Sequence, residues 1–301
     1  MNQLTTNEVS EKLASFGGAV SELEDGSLSA RIVDHVLSEE AAVFLASLEN
    51  LSSLVLRCDI AINSRAVKWI SQCQNLRKLT WLSSDITNGI VGELSSLGSI
   101  QELSLAGSSI NDSCLIDIGR MSTLVRLNIS RTSINDSEIH RLCNLSKLEA
   151  LDLGSTQITD KALFELRGTK IETLMIPKTR ISDDGVACLK GWSSLTKVDV
   201  SRTSIGNVGL GHLLEIAKLK VLLASCTKIS DRGFRFIANC KNLEKLAVNQ
   251  TSLTDKCLTL LGTNSQLCEL WIHGTKCTKA GVLGIRRGIS DLQVSWDRSR
   301  Q

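Results

Sequence analysis

Tyrosine is absent from the 301 residues, proline occurs once, at Pro177, and aromatic residues make up 3% of the chain. Such uniformity suits a chain made of one repeated unit. Charge of one sign is lacking too: the formal net charge is +2, which supplies no general field to gather nucleic acid or an anionic membrane. We therefore expect no nucleic-acid partner and no membrane partner. No run of about 18 apolar residues occurs, and the opening Met1 to Glu8 has no basic stretch followed by an apolar one, so neither a spanning helix nor a secretory signal is expected. A cytoplasmic setting follows as the expectation. The ten cysteines form no CxxC pair and no zinc-like Cys/His spacing; they read as small buried hydrophobes of a reducing compartment.

What the sequence does contain is a period. From Leu103, the anchors Leu127, Leu151, Leu174, Val198, Leu222, Leu246 and Leu270 follow at separations of 24 residues, with one of 23 between Leu151 and Leu174. Extending outward adds Leu79 and Leu54, a degenerate Ala30, and Leu292 in a shortened last unit, twelve units in all. Around each anchor the same pattern returns, complete in the stretch from Leu124 to Ile134: apolar three before, apolar two after, a small hydroxyl residue five after, apolar seven after. Alternation about the anchor predicts a short strand with one face buried.

The second half of each unit opens with Ser, Thr or Asn before an acid, as at Asn111-Asp112, Asn135-Asp136, Thr159-Asp160, Ser182-Asp183, Ser230-Asp231 and Thr254-Asp255. That composition predicts a helix N-terminus, with the hydroxyl or amide as cap and the acid answering the dipole. Leu163 and Leu166, Leu210 and Leu213, and Phe234 and Ile237 then fall at helical spacing. One strand-turn-helix unit cannot bury its own apolar stripe, whose side chains contribute about 1.5–3 kcal/mol each when covered, so neighbours must stack.

The pattern resembles the leucine-rich repeats, Leu-x-x-Leu-x-Leu-x-x-Asn/Cys-x-Leu, over residues 27 to 296. It is most similar to bacterial repeats of the Thr-x-Ile-Thr-Asp-x-Gly-Leu type. Where the family has Asn or Cys, this chain carries Thr132, Thr156, Thr179, Thr203, Thr227, Thr251 and Thr275, with Ser84 and Ser108 earlier. We expect these hydroxyls to bond backbone groups of neighbouring turns. The resemblance implies an α/β solenoid, a leucine-rich-repeat horseshoe with a parallel sheet on the concave face and short helices on the convex face. Residues 1–26 are expected to form a capping helix and turn, opened by a capping box at Thr5 and Glu8 and stopped by Gly17-Gly18. Residues 297–301 read as a tail, leaving a C-terminal end able to support a dimer.

Chemistry-bearing constellations are sparse. His35, His140, His212 and His273 fall in different units at different positions, and no metal-binding spacing links them. The stretch Gly206 to Gly211 is glycine-rich but lacks the lysine and hydroxyl of a phosphate loop. Cys226 has no histidine aligned beside it. We expect no catalysis, no metal and no cofactor.

Function is expected on the concave strand positions one before and one, three and four after each anchor, which are freed from the core. These positions present Arg126, Asn128 and Arg131; then Asp152; Met175 and Lys178; Lys197, Asp199 and Arg202; Val221 and Leu223; Lys245; and Trp271 with His273. The charged residues either give charge-paired specificity to a protein partner or pair with strand neighbours. Met175, Val221, Leu223 and Trp271 read as interface anchors or as residues under a covering loop. Small residues three after the anchor, such as Gly154, Ser201, Ser225 and Ser295, leave a furrow or mark close packing. The resemblance implies a scaffold that holds a partner protein. The alternative is a substrate-recognition subunit or secreted effector acting with a separate enzyme.

Overall fold

Cross-strand pairing places the anchors side by side. In the computed structural model, which describes residues 5–33, 37–57, 64–237, 240–261, 266–289 and 291–297, the chain forms two compact units, Met1–Leu148 and Glu149–Gln301. His35, Cys58 and the tail beyond Asp297 lie outside the described residues.

The first unit begins with α1 (Thr6–Ser15). Its capping box is formed as expected: Glu8 N–H donates to Thr5 Oγ1 at 3.3 Å, and Thr5 N–H to Glu8 Oε2 at 2.7 Å. A strand that the sequence reading did not anticipate follows, β1 (Gly18–Glu22), antiparallel to β2 (Leu28–Val33). It covers the backbone edge that the first parallel strand would otherwise leave open. After α2 (Glu39–Ser47) come β3 (Leu51–Arg57), α3 (Ser64–Ile70), β4 (Lys78–Leu82), α4 (Asn88–Leu94), β5 (Glu102–Ser104), α5 (Cys114–Ile118) and β6 (Arg126–Asn128), then a 3-10 turn over Ile139–Asn144. Parallel register joins Ala30 to Leu54, Leu79, Leu103 and Leu127.

The second unit runs β7 (Ala150–Asp152), α6 (Asp160–Glu165), β8 (Thr173–Met175), α7 (Asp183–Ala187) continuing as a 3-10 turn (Cys188–Gly191), β9 (Lys197–Asp199) and α8 (Asn207–Leu214). It continues with β10 (Val221–Leu223), α9 (Asp231–Phe234), β11 (Lys245–Ala247), α10 (Asp255–Leu261), β12 (Glu269–Trp271), α11 (Lys279–Gly288) and β13 (Gln293–Ser295). Its parallel register runs Leu151, Leu174, Val198, Leu222, Leu246, Leu270 and Val294. The last anchor is therefore Val294, not Leu292, and the last unit keeps the full period. Leu292 is buried just ahead of the strand, which is why it mimicked an anchor. The α/β solenoid is the fold, each unit a sheet on one side and short helices on the other.

The core between the layers is apolar throughout: the anchors, the residues two after them such as Ile129, Leu153, Ile176 and Val200, and Leu163, Leu210 and Phe234 of the helices are all buried. Two expectations about the turns need correction. The hydroxyl row is real and buried at Thr132, Thr156, Thr179, Thr203, Thr251 and Thr275, but each hydroxyl donates within its own turn. Thr132 bonds Ile129 O at 2.7 Å and Thr203 bonds Val200 O at 2.6 Å. The strand exit turns back on itself there, so its own carbonyl is nearer than any neighbour's. Ser84 is exposed and the buried hydroxyl of that unit is Ser83.

The acids, in turn, do more than answer a helix dipole. Asp160 Oδ1 accepts Ser182 N–H of the next repeat at 2.8 Å, and Asp160 Oδ2 accepts the Ser182 hydroxyl at 2.6 Å. Asp183 likewise accepts Gly206 N–H, Asn207 accepts Ser230 N–H, Asp231 accepts Thr254 N–H, and Asp255 accepts Thr278 N–H. In the first unit Asn88 accepts Asn111 N–H and Asp112 accepts Asn135 N–H. Thr159 and Ser182 also cap their own helices, whereas Asn111 and Asn135 instead accept from Ser113 and Ser137, two residues on. The motif glycine now has a reason. A Cβ on Gly185 would run into the Asp160 carboxylate, and one on Gly209 into that of Asp183.

Two predictions follow from these contacts. Asp160→Ala strands a part-buried N–H and is expected to cost about 1–3 kcal/mol, with Gly185→Ala costing a similar ~1–3 kcal/mol by overpacking. The double variant should cost less than the sum, because the shortened side chain makes room for the new methyl; simple additivity in denaturant titrations would refute the contact. Thr203→Val removes the hydroxyl but keeps the volume and should lower stability by about 1 kcal/mol. An unchanged denaturation midpoint would show that the bond to Val200 contributes nothing.

Candidate functional site

In β7, β8, β10 and β12 of the second unit a buried centre stands between half-exposed flanks, while in β9 and β11 the flank after the anchor is buried as well; the residues on either side of the anchor alternate with it across the strand. Pairing sets the outward row one after the anchor as Asp152, Met175, Asp199, Leu223, Ala247, Trp271 and Ser295. Met175, Leu223 and Trp271 are half-exposed, with the nearly buried Asp199 and Ala247 between them. The three large apolar side chains thus stand on every second strand. Trp271 also borders an open cleft with Glu269, Gln293 and Ser295.

The polar residues of this row shape the chain as well as the surface. Asp199 Oδ1 accepts Ser201 N–H at 2.8 Å and Asp152 Oδ1 accepts Gly154 N–H at 2.9 Å. In the first unit Asn128 accepts both the N–H and the hydroxyl of Ser130. Each turns the backbone out of its strand. The furrow of small residues is, at Gly154, close packing: a Cβ there would meet the ring of Pro177.

Charges one before the anchor pair across strands where signs allow. Arg126 and Lys78 both bond Glu102 in the first unit, and Lys245 bonds Glu269 at 2.5 Å in the second. Partial burial raises the Glu102 carboxyl, but the bonds from Arg126 and Lys78 outweigh it and hold the group below its usual range. Lys197, Lys178, Arg202 and Arg131 form no ion pair among the described residues, so their charges remain available to a partner.

Arg131, Lys178 and Arg202 share a further property that the sequence did not announce. Each sits four after its anchor in the left-handed region, with φ of 58°, 56° and 60°, as do Ser155, Cys226 and Gln250, while Gly107 and Gly274 take the same place. The turn is locked by a backbone ladder in which Lys178 N–H donates to Ser201 O and Arg202 N–H to Ser225 O, both at 2.8 Å. These side chains are therefore launched from a rigid, conformationally costly position.

His273 belongs to a different arrangement. Its Nε2 lies 2.7 Å from Ser295 Oγ and its Nδ1 3.1 Å from Asp297 Oδ1, while Asp297 Oδ2 accepts Gly274 N–H at 2.6 Å. The order serine, histidine, aspartate matches the atoms of a nucleophilic triad. Yet Asp297 stands where the ladder of left-handed residues would next find a backbone carbonyl, so its carboxylate closes the ladder, and we assign the trio to the end of the sheet. Sequence reasoning missed Ser295 and Asp297 as partners of His273 because it anchored the last unit on Leu292; counting 24 residues from Leu270 places them correctly.

The other candidates settle into structure. The Gly206 N–H is taken by Asp183, which leaves a carboxylate where a phosphate would have to sit. Cys226 Sγ donates to Gln250 Oε1 at 2.9 Å. Burial pushes the thiols of Cys73 and Cys114 up to about 11 and about 12, so these two are uncharged core atoms. Cys143 and Cys268 depart from the expected burial and are exposed. Among the described residues no group of three or more His, Cys, Asp or Glu side chains could hold a metal ion, and no helix is long and apolar enough to cross a membrane.

A parallel strand ladder, a buried hydroxyl in most of the described turns and helices behind it define the class: this is the leucine-rich-repeat fold. Among solved structures the chain is similar to an internalin (InlF) of Listeria monocytogenes, with a TM-score of 0.62 and 19% identity over 97% of this chain and 89% of that one. It is also similar to an internalin C2 of the same organism, with a TM-score of 0.53 and 19% identity over 70% of this chain and 84% of that one. No protein-family model matches the chain, and no curated protein matches it significantly in sequence.

The left-handed positions dictate how the cations should be tested. Arg202→Gly removes the side chain and relieves the backbone, so stability should hold or rise by up to about 1 kcal/mol, whereas Arg202→Val should lose about 1–2 kcal/mol. Equal unfolding midpoints for the two variants would contradict the strained geometry.

Proposed function

We infer that the protein is a binding scaffold that receives a partner protein on the sheet face of its repeats. The observation that carries this reading is the row of Met175, Leu223 and Trp271, half-exposed on strands fixed by continuous pairing, beside Lys178, Lys197 and Arg202, which form no ion pair among the described residues. Large apolar side chains on a preordered surface lose little entropy when a partner covers them, and aromatic anchors of this kind dominate interface energies. The flanking charges set orientation and association rate more than affinity. The shared fold with the two internalins supports a non-catalytic scaffold, and the exposed thiols Cys143 and Cys268 favour a reducing, cytoplasmic setting. The same face would equally serve a recognition subunit or secreted effector whose enzyme is a separate chain; co-purification with an enzyme would select that version.

The test is partner capture from lysate of the parent organism, comparing the native chain with Leu223→Ala/Trp271→Ala. The partner is expected to be lost, with affinity falling by at least about tenfold, while the thermal midpoint shifts little. Capture of the same protein at undiminished affinity by a folded double variant would move the site off this face.

A further inference from the structure

The turn that leads from each strand to its helix offers a second surface in the Glu149–Gln301 unit. Six residues after each anchor, between the buried hydroxyl and the buried apolar residue, one side chain per repeat points to solvent. In order these are Gln157, Arg180, Ser204, Lys228, Ser252 and Lys276, all exposed. Cations occupy every second rung and serines the rungs between.

The rungs are held in line by backbone bonds. Arg180 N–H donates to Ile158 O at 3.1 Å, Ser204 N–H to Ile181 O at 3.1 Å, Lys228 N–H to Ile205 O at 2.8 Å, Ser252 N–H to Ile229 O at 3.0 Å, and Lys276 N–H to Leu253 O at 2.8 Å. Adjacent rungs joined this way lie a strand spacing apart, so successive cations are separated by about 9.5 Å. None of Arg180, Lys228 and Lys276 forms an ion pair among the described residues. Asp183 and Asp231, three residues after Arg180 and Lys228 in sequence, accept backbone N–H groups of the following repeat, as does Asp255. The hydroxyls of Ser204 and Ser252 make no hydrogen bond among the described residues either.

A row of cations borne on rungs about 9.5 Å apart calls for a ligand with anions at that repeat on one side. An extended strand returns a side chain to the same face every ~6.7 Å, and two α-helical turns advance ~10.8 Å, so both drift out of step along the row. A polyproline II segment has three residues per turn and rises ~3.1 Å per residue, which returns every third side chain to one face every ~9.3 Å. Its backbone carbonyls are free of internal bonds, and Ser204 and Ser252 are donors placed between the cations.

We propose that the row Arg180, Ser204, Lys228, Ser252 and Lys276 docks an acidic protein segment in the polyproline II conformation, with a carboxylate at every third residue. This rests on the reading of the protein as a protein-binding scaffold but uses a surface distinct from the sheet face.

The probe is a fluorescein-labelled peptide of four Glu-Pro-Pro repeats, titrated by anisotropy at low salt. It is compared with a peptide of identical composition in which the glutamates are contiguous. The native chain should bind the repeating peptide tighter by about tenfold, and Arg180→Glu/Lys228→Glu/Lys276→Glu should lose that binding with a preserved thermal midpoint. Equal affinity for the two peptides would overturn the proposal without any variant, since bulk charge would then suffice. Undiminished binding by the triple variant, or tighter binding of a DNA duplex than of the repeating peptide, would overturn it too. Leu223→Ala/Trp271→Ala should bind the peptide like the native chain, so a failed peptide test leaves the sheet-face reading standing, and the reverse holds as well.

Discussion

One contact recurs between stacked repeats: an oxygen at the mouth of a short helix accepts a backbone N–H at the start of the next, from Asn88 and Asp112 in the first unit onward. Asp160, Asp183, Asn207, Asp231 and Asp255 each make it in the second unit. That asparagine serves in the same place as aspartate shows that the acceptor atom, not the charge, is what the geometry demands. The short helices have little stability of their own, and several run only four or five residues. Their first N–H groups have no partner within the helix, so the acceptor from the preceding repeat, at a junction that is mostly part-buried, ties the helix start to its neighbour. At Gly185, Gly209, Gly233 and Gly281, three residues on, a Cβ would run into that same oxygen, whereas the repeat that starts at Thr254 carries Cys257 there.

With the stacking fixed on that side, the strands on the other are only three residues long in most repeats, and the turn after them carries much of the order. The buried hydroxyl closes the turn on its own strand, and the left-handed residue before it donates to the next repeat. Lys178 and Arg202 are thereby mounted on backbone held by the next repeat. Rigidity of this kind lowers the backbone ordering cost at a shallow surface, leaving only the side chains to be ordered.

From Leu54 to Leu270 the anchors were legible to the residue. Burial of an apolar anchor repeats from unit to unit, and Leu79 through Leu127 in the first unit and Leu151 through Leu270 in the second pair in the register that counting alone assigns. The hydrogen-bond partners were not legible in the same way. Thr203 and Asp160 both lie in turns rich in nearby donors and acceptors, and which atom is closest depends on stacking distance and chain reversal, neither of which composition encodes. Leu292 misled for a related reason: at the end of the stack an apolar residue need only be buried, and one just before the strand satisfies burial as well as the anchor does. The outward face fell between these cases. Its positions were foreseeable from alternation, but the pairing of Lys245 with Glu269, the local duty of Asp199 and the end-closing duty of His273 needed the neighbours in place.

Variable positions of a repeat carry their own pattern, and its period need not be that of the repeat. The alternation of cation and serine from Arg180 to Lys276 is such a pattern. Cations on adjacent rungs, about 4.8 Å apart, would repel by ~0.9 kcal/mol per pair even at the dielectric constant of water, while spacing them two rungs apart reduces this to ~0.4 kcal/mol. The wider spacing is also close to the screening length of physiological salt, about 8 Å, so each cation acts nearly alone. A row that is sparing with its charge in this way keeps the stack from straining against itself, and it also makes the row selective. A contiguous positive stripe would hold any polyanion, whereas isolated charges on a rigid ladder favour the ligand whose own repeat keeps step with them.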